Sequence, residues 1–426
     1  MKVSKKQSNI VIGILFLLTF VAVLRKPTIY FPDSTGYLNM MINRTPGYPI
    51  FLKLINSIFG SNFEVALRFI QTAIGCFSIC VFIRKIQKIQ LLRNFYCCAL
   101  ALVLLLPFLF GLRIGNSVLS EALSYSLYIL VIGYFIAFFV SKNKKELYFA
   151  LPILGLLLIT RYQFVYLIPV ALLMILWVSL KEKQWKQYRL LLLLFLCLPM
   201  VTSLVDRTYH KVVHSHFIST PWTGMNIITA AFYVSDAEDE AIFEDAQEKQ
   251  FFQNTYKDLA SKKLNIHHLE GRNTTDKTLV YVKEFASITM GPIFKNGNAV
   301  LDETLSEDEK YIALEKMTTS MSKPLILDNF SEWTKLYIGN LIYGFGGVKQ
   351  VVLYVLILLF SFIGVLKYNT KTYKILLLIS MLFIGNLILV AIGMHTIIRF
   401  TFYNDWVLFL TIFILLNSLN KKTYES

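Results

Sequence analysis

The feature that most constrains this chain is a succession of ten apolar runs, at about residues 9–24, 62–83, 94–111, 118–140, 146–160, 162–180, 189–205, 350–366, 374–394 and 402–419. A bilayer core of roughly 30 Å takes about 20 helical residues to cross, so most of these runs have spanning or near-spanning length. Within that core every backbone polar group needs an internal partner, which a helix supplies along its own length. The expected fold is an all-α integral membrane protein with about ten transmembrane helices. The run 146–160 is the shortest, and its outer end is expected to lie below the membrane surface.

Charge settles how the runs are threaded. Only 16% of the 426 residues are charged, against about 25% in a soluble domain. A net charge of +15 would ordinarily raise nucleic acid as a partner, but its placement argues against one. Of the 27 Asp and Glu residues, 20 lie within 206–348, so the remainder of the chain is strongly basic. Alternate threading from a cytoplasmic N-terminus puts Arg84, Lys85, Lys88 and Arg93 inside, together with Lys142, Lys144, Lys145, Lys181, Lys183, Lys186, Lys367, Lys371, Lys421 and Lys422. The short outer connections hold far fewer cations, as the positive-inside rule requires. Lys2, Lys5 and Lys6 precede the first run with no small-residue cleavage site after it, which reads as an uncleaved signal anchor. The five cysteines all fall in apolar runs, where they read as small buried hydrophobes rather than as disulfides or metal ligands. The expected localisation is a cell inner membrane, multi-pass.

The expected organisation is an N-terminal transmembrane module over 1–205, an extracytoplasmic subdomain over 206–348 and a C-terminal transmembrane module over 349–426. Residues 26–61 form the first outer loop, with a short helix at 35–43 and an interfacial apolar stretch at 48–59. Pro32, Pro46, Gly47 and Pro49 favour a shaped loop there. In the subdomain, helical patterns run over 236–263, 276–290 and 305–321, the last opened by capping-box spacing at Ser306 and Glu309. The glycines of Gly344–Gly347 read as a hinge before the next span.

Ionisable residues at the outer face are Asp33, Arg44, Glu64, Arg113, Glu121, Arg161, His395, Arg399 and Asp405. A carboxylate beside hydrocarbon is expensive to keep, so such residues are functional candidates by default. Each also has a structural reading. Asp33 suits a general base, a metal ligand or a turn cap. Glu121 suits a helix first turn, Arg161 snorkelling, and Arg399 with Asp405 an ion pair. An inward Arg161 would instead suit a lipid phosphate. His210 and His214 have i, i+4 spacing, but no carboxylate motif accompanies them.

The segment Asp33, Tyr37 and Arg44–Pro49, the pair Ser120-Glu121, and Arg161 followed by Pro169 together resemble the GT-C glycosyltransferases, in particular the bacterial branch of the protein O-mannosyltransferases and the lipid A aminoarabinose transferase. The resemblance is strongest over residues 1–180. Many members carry Asp-Glu in the first loop, whereas here Ser34 follows Asp33. The resemblance implies a GT-C-like core and transfer, with inversion, of a sugar from a polyprenyl-phosphate donor to an extracytoplasmic glycan, lipid or protein. It implies Asp33 as catalytic base, Glu121 and Tyr37 as acceptor- or metal-binding residues, and Arg161, Arg399, His395 and Arg44 at the donor phosphate. A divalent cation (Mg, Mn or Zn) is the cofactor such a site would take. Alternatives are a polysaccharide polymerase or ligase, which keeps its critical groups in the large outer loop, and a lipid-linked sugar flippase, which needs charged or broken helices near the midplane.

Overall fold

In the computed structural model, residues 3–425 are described; Lys2 and the side chains of Lys421 and Lys422 lie outside that description. The chain divides into two compact units, one of residues 1–206, 353–386 and 402–426 and the other of residues 207–352 and 387–401. It is an all-α membrane protein, with no strand among the described residues. Eight helical stretches there are long and apolar enough to cross a membrane. All ten apolar runs are helical, and the two outside that set of eight are helices of 16 residues.

The first unit opens with α1 (Lys5–Leu24), whose N-terminus is closed by a capping box. Ser4 accepts from the Gln7 amide, and the Gln7 side chain accepts from Ser4 N. Then come α2 (Pro32–Leu38), α3 (Gly47–Phe59), α4 (Phe63–Lys88), α5 (Asn94–Leu109), α6 (Glu121–Ser141), α7 (Lys145–Thr160), α8 (Leu167–Lys181) and α9 (Trp185–His214), whose residues from Arg207 on are counted in the second unit. The expected helix at 35–43 begins earlier and ends earlier. Pro32 starts α2 and Pro49 falls in the first turn of α3, where a proline's missing N–H costs nothing. Helix α6 lies at the centre of the unit. It is apolar all round, packs on α4 and α7, and 17 of its residues are buried. By contrast α1 exposes Ile10, Ile14, Leu17 and Leu18, a face that only lipid would cover in a membrane. Lys85 pairs with Glu146 and Lys142 with Glu182, so both carboxylates at the basic ends of these helices are matched.

In the second unit, α10 (Thr223–Val234), α11 (Ala246–Ser261), α12 (Lys277–Ile288), α13 (Phe294–Ala299), α14 (Glu307–Asp328) and α15 (Phe330–Phe345) surround an aromatic core that includes Phe232, Phe251, Phe252 and Tyr281. The pattern at 236–263 is not one helix. A 3₁₀ turn over Ala237–Ile242 ends before Asp245, which caps α11 by accepting from Gln247 N and Glu248 N. The expected capping box at Ser306 and Glu309 is present. Helix α10 had no sequence signal, because Trp222 precedes it without a side-chain cap. Instead both carboxylate oxygens of Glu315, on α14, accept from Gly224 N at 2.9 Å. Helix α15 ends at Gly346, with φ of +87°, and Gly347 has φ of +120°, so this glycine pair terminates a helix. Helices α16 (Val348–Lys367), α17 (Lys371–Gly393), α18 (Ile398–Thr401) and α19 (Trp406–Glu425) complete the chain.

Candidate active site

In the first unit, the loop after α1 is tied to the start of α6. Ile29 N donates to Asn116 O at 2.8 Å, and Val118 N donates to Ile29 O at 2.9 Å. Asn116 Nδ2 reaches back to Val23 O, and buried Arg68 donates to Leu24 O. Ser34 adds a second tie: its hydroxyl accepts from Phe31 N and donates to Val118 O, both at 2.8 Å. These bonds set α2 against the segment that becomes α6. Asp33 lies in the first turn of α2, where exposed amides favour an anion.

From Asp33 a continuous set of contacts runs inward. Arg44 Nη2 donates to Asp33 Oδ1 at 2.9 Å, and its guanidinium lies 4.8 Å from the centre of the Tyr37 ring. The Tyr37 hydroxyl meets Ser120 Oγ at 3.2 Å. Arg161 Nη1 donates to the same Ser120 Oγ at 3.2 Å and pairs with Glu121 Oε1 at 2.8 Å. Gln163 Oε1 accepts from Arg161 Nη2 at 3.0 Å, and Gln163 Nε2 donates to Asn386 Oδ1 at 3.1 Å. Tyr403 closes the set: its ring lies 6.0 Å from the Arg161 guanidinium and its hydroxyl is 2.8 Å from Ser124 Oγ.

Two glycines permit this approach. A Cβ at Gly36 would stand 2.7 Å from Arg44 Nε, so the guanidinium lies where any other residue would put a methyl group. A Cβ at Gly47 would stand 2.9 Å from Ile159 O and from Thr160 Cα, so α3 meets the end of α7 backbone to backbone. Thr45 Oγ1 donating to Thr160 O at 2.9 Å belongs to the same junction.

Exposure grades the charged groups along the set. Side-chain exposure is 29% for Asp33, 20% for Arg44, 11% for Arg161 and 0% for Glu121. Asp33 and Arg44 can therefore meet a ligand directly, whereas Glu121 is sealed behind Arg161. Five expected site residues, Asp33, Tyr37, Arg44, Glu121 and Arg161, are thus joined by contact. Ser120, Gln163, Asn386 and Tyr403 complete them without having been expected as site residues. Of these only Ser120 had a sequence signal, its place beside Glu121. Glu64, in the first turn of α4, accepts from the Tyr30 hydroxyl at 3.0 Å.

His395 and Arg399 belong to the second unit. His395 Nδ1 donates to Val282 O at 2.6 Å, and its ring stacks on Phe285 with centroids 4.6 Å apart. Burial is the main cause that pushes its pKa below the usual 6.5. The neutral ring therefore carries its proton on Nδ1 and presents Nε2 as an acceptor. The Arg399 guanidinium lies 5.8 Å from the Phe400 ring. Asn340 fixes the backbone before it, donating to Met394 O at 2.8 Å and accepting from Thr396 N at 3.0 Å. His214 Nδ1 meets Asp308 Oδ2 at 2.8 Å. Among the described residues no three or more His, Cys, Asp and Glu side chains are grouped to hold a metal ion. With Asp33 on Arg44 and Glu121 on Arg161, the acids of the first unit's site are matched to arginines and do not form a cation-ligand set.

A family model for dolichyl-phosphate-mannose-protein mannosyltransferases matches residues 43–205, a stretch that holds Arg44, Glu121 and Arg161 and begins after Asp33 and Tyr37. No curated protein and no solved structure matches the chain. The matched stretch is less than half of the chain.

Proposed function

We propose that this protein transfers a sugar from a polyprenyl-phosphate donor to an acceptor hydroxyl on the extracytoplasmic side of a cell inner membrane, with inversion at the anomeric carbon. The observation that carries this reading is the couple of Asp33 and Arg44, a carboxylate and a guanidinium 2.9 Å apart at the accessible end of a buried polar set. A hydroxyl is a poor nucleophile until a base in hydrogen-bond reach takes its proton as the new bond forms. Asp33 is that base. The acceptor oxygen attacks the anomeric carbon from the face opposite the phosphate, the bond from that carbon to the phosphate oxygen breaks, and the lipid phosphate leaves with the bonding pair.

Negative charge grows on the leaving phosphate, and a fixed guanidinium is well suited to stabilise it. Arg44 serves there, with Arg161 behind it. Tyr37 carries the Arg44 guanidinium on its ring and orients the acceptor. Glu121 holds Arg161 in place. His395 of the second unit, neutral and with Nε2 as an acceptor, is by its own chemistry suited to a hydroxyl better than to a phosphate. The acceptor is a cell-envelope glycan, lipid or protein.

The test uses the purified full chain in detergent with radiolabelled polyprenyl-phosphate sugar and a lipid extract, wild type beside Asp33→Asn. Loss of the base is expected to slow transfer by about 10²-fold or more. Undiminished turnover in Asp33→Asn would remove Asp33 from the chemistry. Lipid translocation in liposomes without any transfer would make the protein a transporter instead.

A further inference from the structure

We propose that the groove between α1 and α4, at the N-terminal end of α1, binds the headgroup of an anionic phospholipid. The groove is a cavity of about 220 Å³ lined by Asn9, Gly13 and Phe16 from α1 and by Cys80, Arg84 and Gln87 from α4, among others. On each helix these positions follow i, i+4, i+7 spacing, so each trio forms one face. The helices run antiparallel, with Gln87 Nε2 donating to Ser8 Oγ at 3.4 Å.

The lining is graded along its length. Asn9, Arg84 and Gln87 make one end polar and cationic, and Gly13, Phe16 and Cys80 make the other apolar. A Cβ built at Gly13 meets no atom within 4 Å, so the apolar end is open. That grading matches a phosphate with an acyl chain below it: the guanidinium and amides donate to phosphate oxygens, and the chain follows α1 past Phe16. A small soluble anion would leave the apolar half unused.

Charge around the groove is of one sign. Lys5 and Lys6 open α1, Lys88 closes α4, and no Asp or Glu occurs in residues 1–32 or 65–120. Lys85, next to Arg84, is already matched by Glu146 of α7. Asp33 follows the opposite end of α1, roughly 30 Å of helix away, so this site is separate from the candidate active site and does not depend on its chemistry.

The experiment is native mass spectrometry of the delipidated full chain with phosphatidylglycerol and phosphatidylcholine of identical acyl chains. Wild type is expected to retain phosphatidylglycerol about fivefold better, the effect of roughly one basic side chain at a lipid surface. Arg84→Ala and, separately, Gly13→Phe are each expected to erase that preference, while Lys53→Ala on α3 leaves it unchanged. Equal retention of both lipids by wild type, or a preference that survives both substitutions in folded protein, overturns the proposal.

Discussion

Arg161 and Glu121 form a buried ion pair, Nη1 to Oε1 at 2.8 Å, that joins the end of α7 to the start of α6. Removing either partner leaves its mate buried without a counter-charge, which typically costs about 3–5 kcal/mol. Glu121→Ala and Arg161→Ala should each lower thermal stability in detergent sharply, and Glu121→Leu with Arg161→Met should recover most of the loss. A double-mutant cycle measures the coupling; strictly additive effects would show that the junction is held by something else.

Arg44 is expected to act on rate more than on folding, because it is partly exposed and bonded to Asp33. Arg44→Ala should lower kcat by roughly 10²-fold, the scale of losing one fixed donor to a developing anion. Arg44→Lys should fall between, since lysine keeps the charge but loses the planar contact with Tyr37. Single-turnover transfer decides the matter: an unchanged rate with a raised KM would confine Arg44 to donor binding.

Gly36→Ala places a methyl group where the Arg44 guanidinium lies. The side chain must move off Asp33, so the variant should resemble Arg44→Ala in turnover while unfolding near the wild-type temperature. The double variant Gly36→Ala/Arg44→Ala should be no slower than Arg44→Ala alone. An additive loss would mean that Gly36 serves the backbone and not the arginine.

Asp239 gives the second unit a pH dependence. Burial, above all, raises its pKa to about 6, although its carboxylate accepts from Asn329 Nδ2 and Asp236 N. The folded state therefore holds its proton more tightly than the unfolded chain does. Its contribution to stability is full below pH 3.8 and is lost as pH rises through about 6. Asp239→Asn should flatten the fall in unfolding temperature between pH 4 and 7; an identical slope in both proteins counts against Asp239 as the titrating group.

Chelation separates arginine from metal chemistry at the site. Both of its carboxylates are paired with arginines, so transfer should persist after dialysis against EDTA. Activity lost with EDTA and restored by Mg, Mn or Zn would require those carboxylates to leave their arginines.

The membrane helices were legible because an apolar run of this length has few alternatives, and each one is helical. The residue types at the site were legible too, since charge beside hydrocarbon is rare. Their connections were not. Tyr37 meets Ser120 across 83 positions of chain, and Gln163 meets Asn386 across 223. No local pattern encodes such a pairing. Helix α10 was missed for a related reason: the carboxylate that caps it, Glu315, comes from another helix. At Pro32 the error was one of meaning. A proline that forbids a helix interior is well placed at a helix start.

Ser34 carries one more consequence. Its hydroxyl is spent between Phe31 N and the carbonyl of Val118, and the residue is only 1% exposed. A carboxylate at this position would face that carbonyl oxygen to oxygen, with no solvent to relieve the repulsion. The loop can gain a second negative group beside Asp33 only by coming undone from the start of α6. The fastening of the loop therefore imposes a ceiling of one anion at this end of α2.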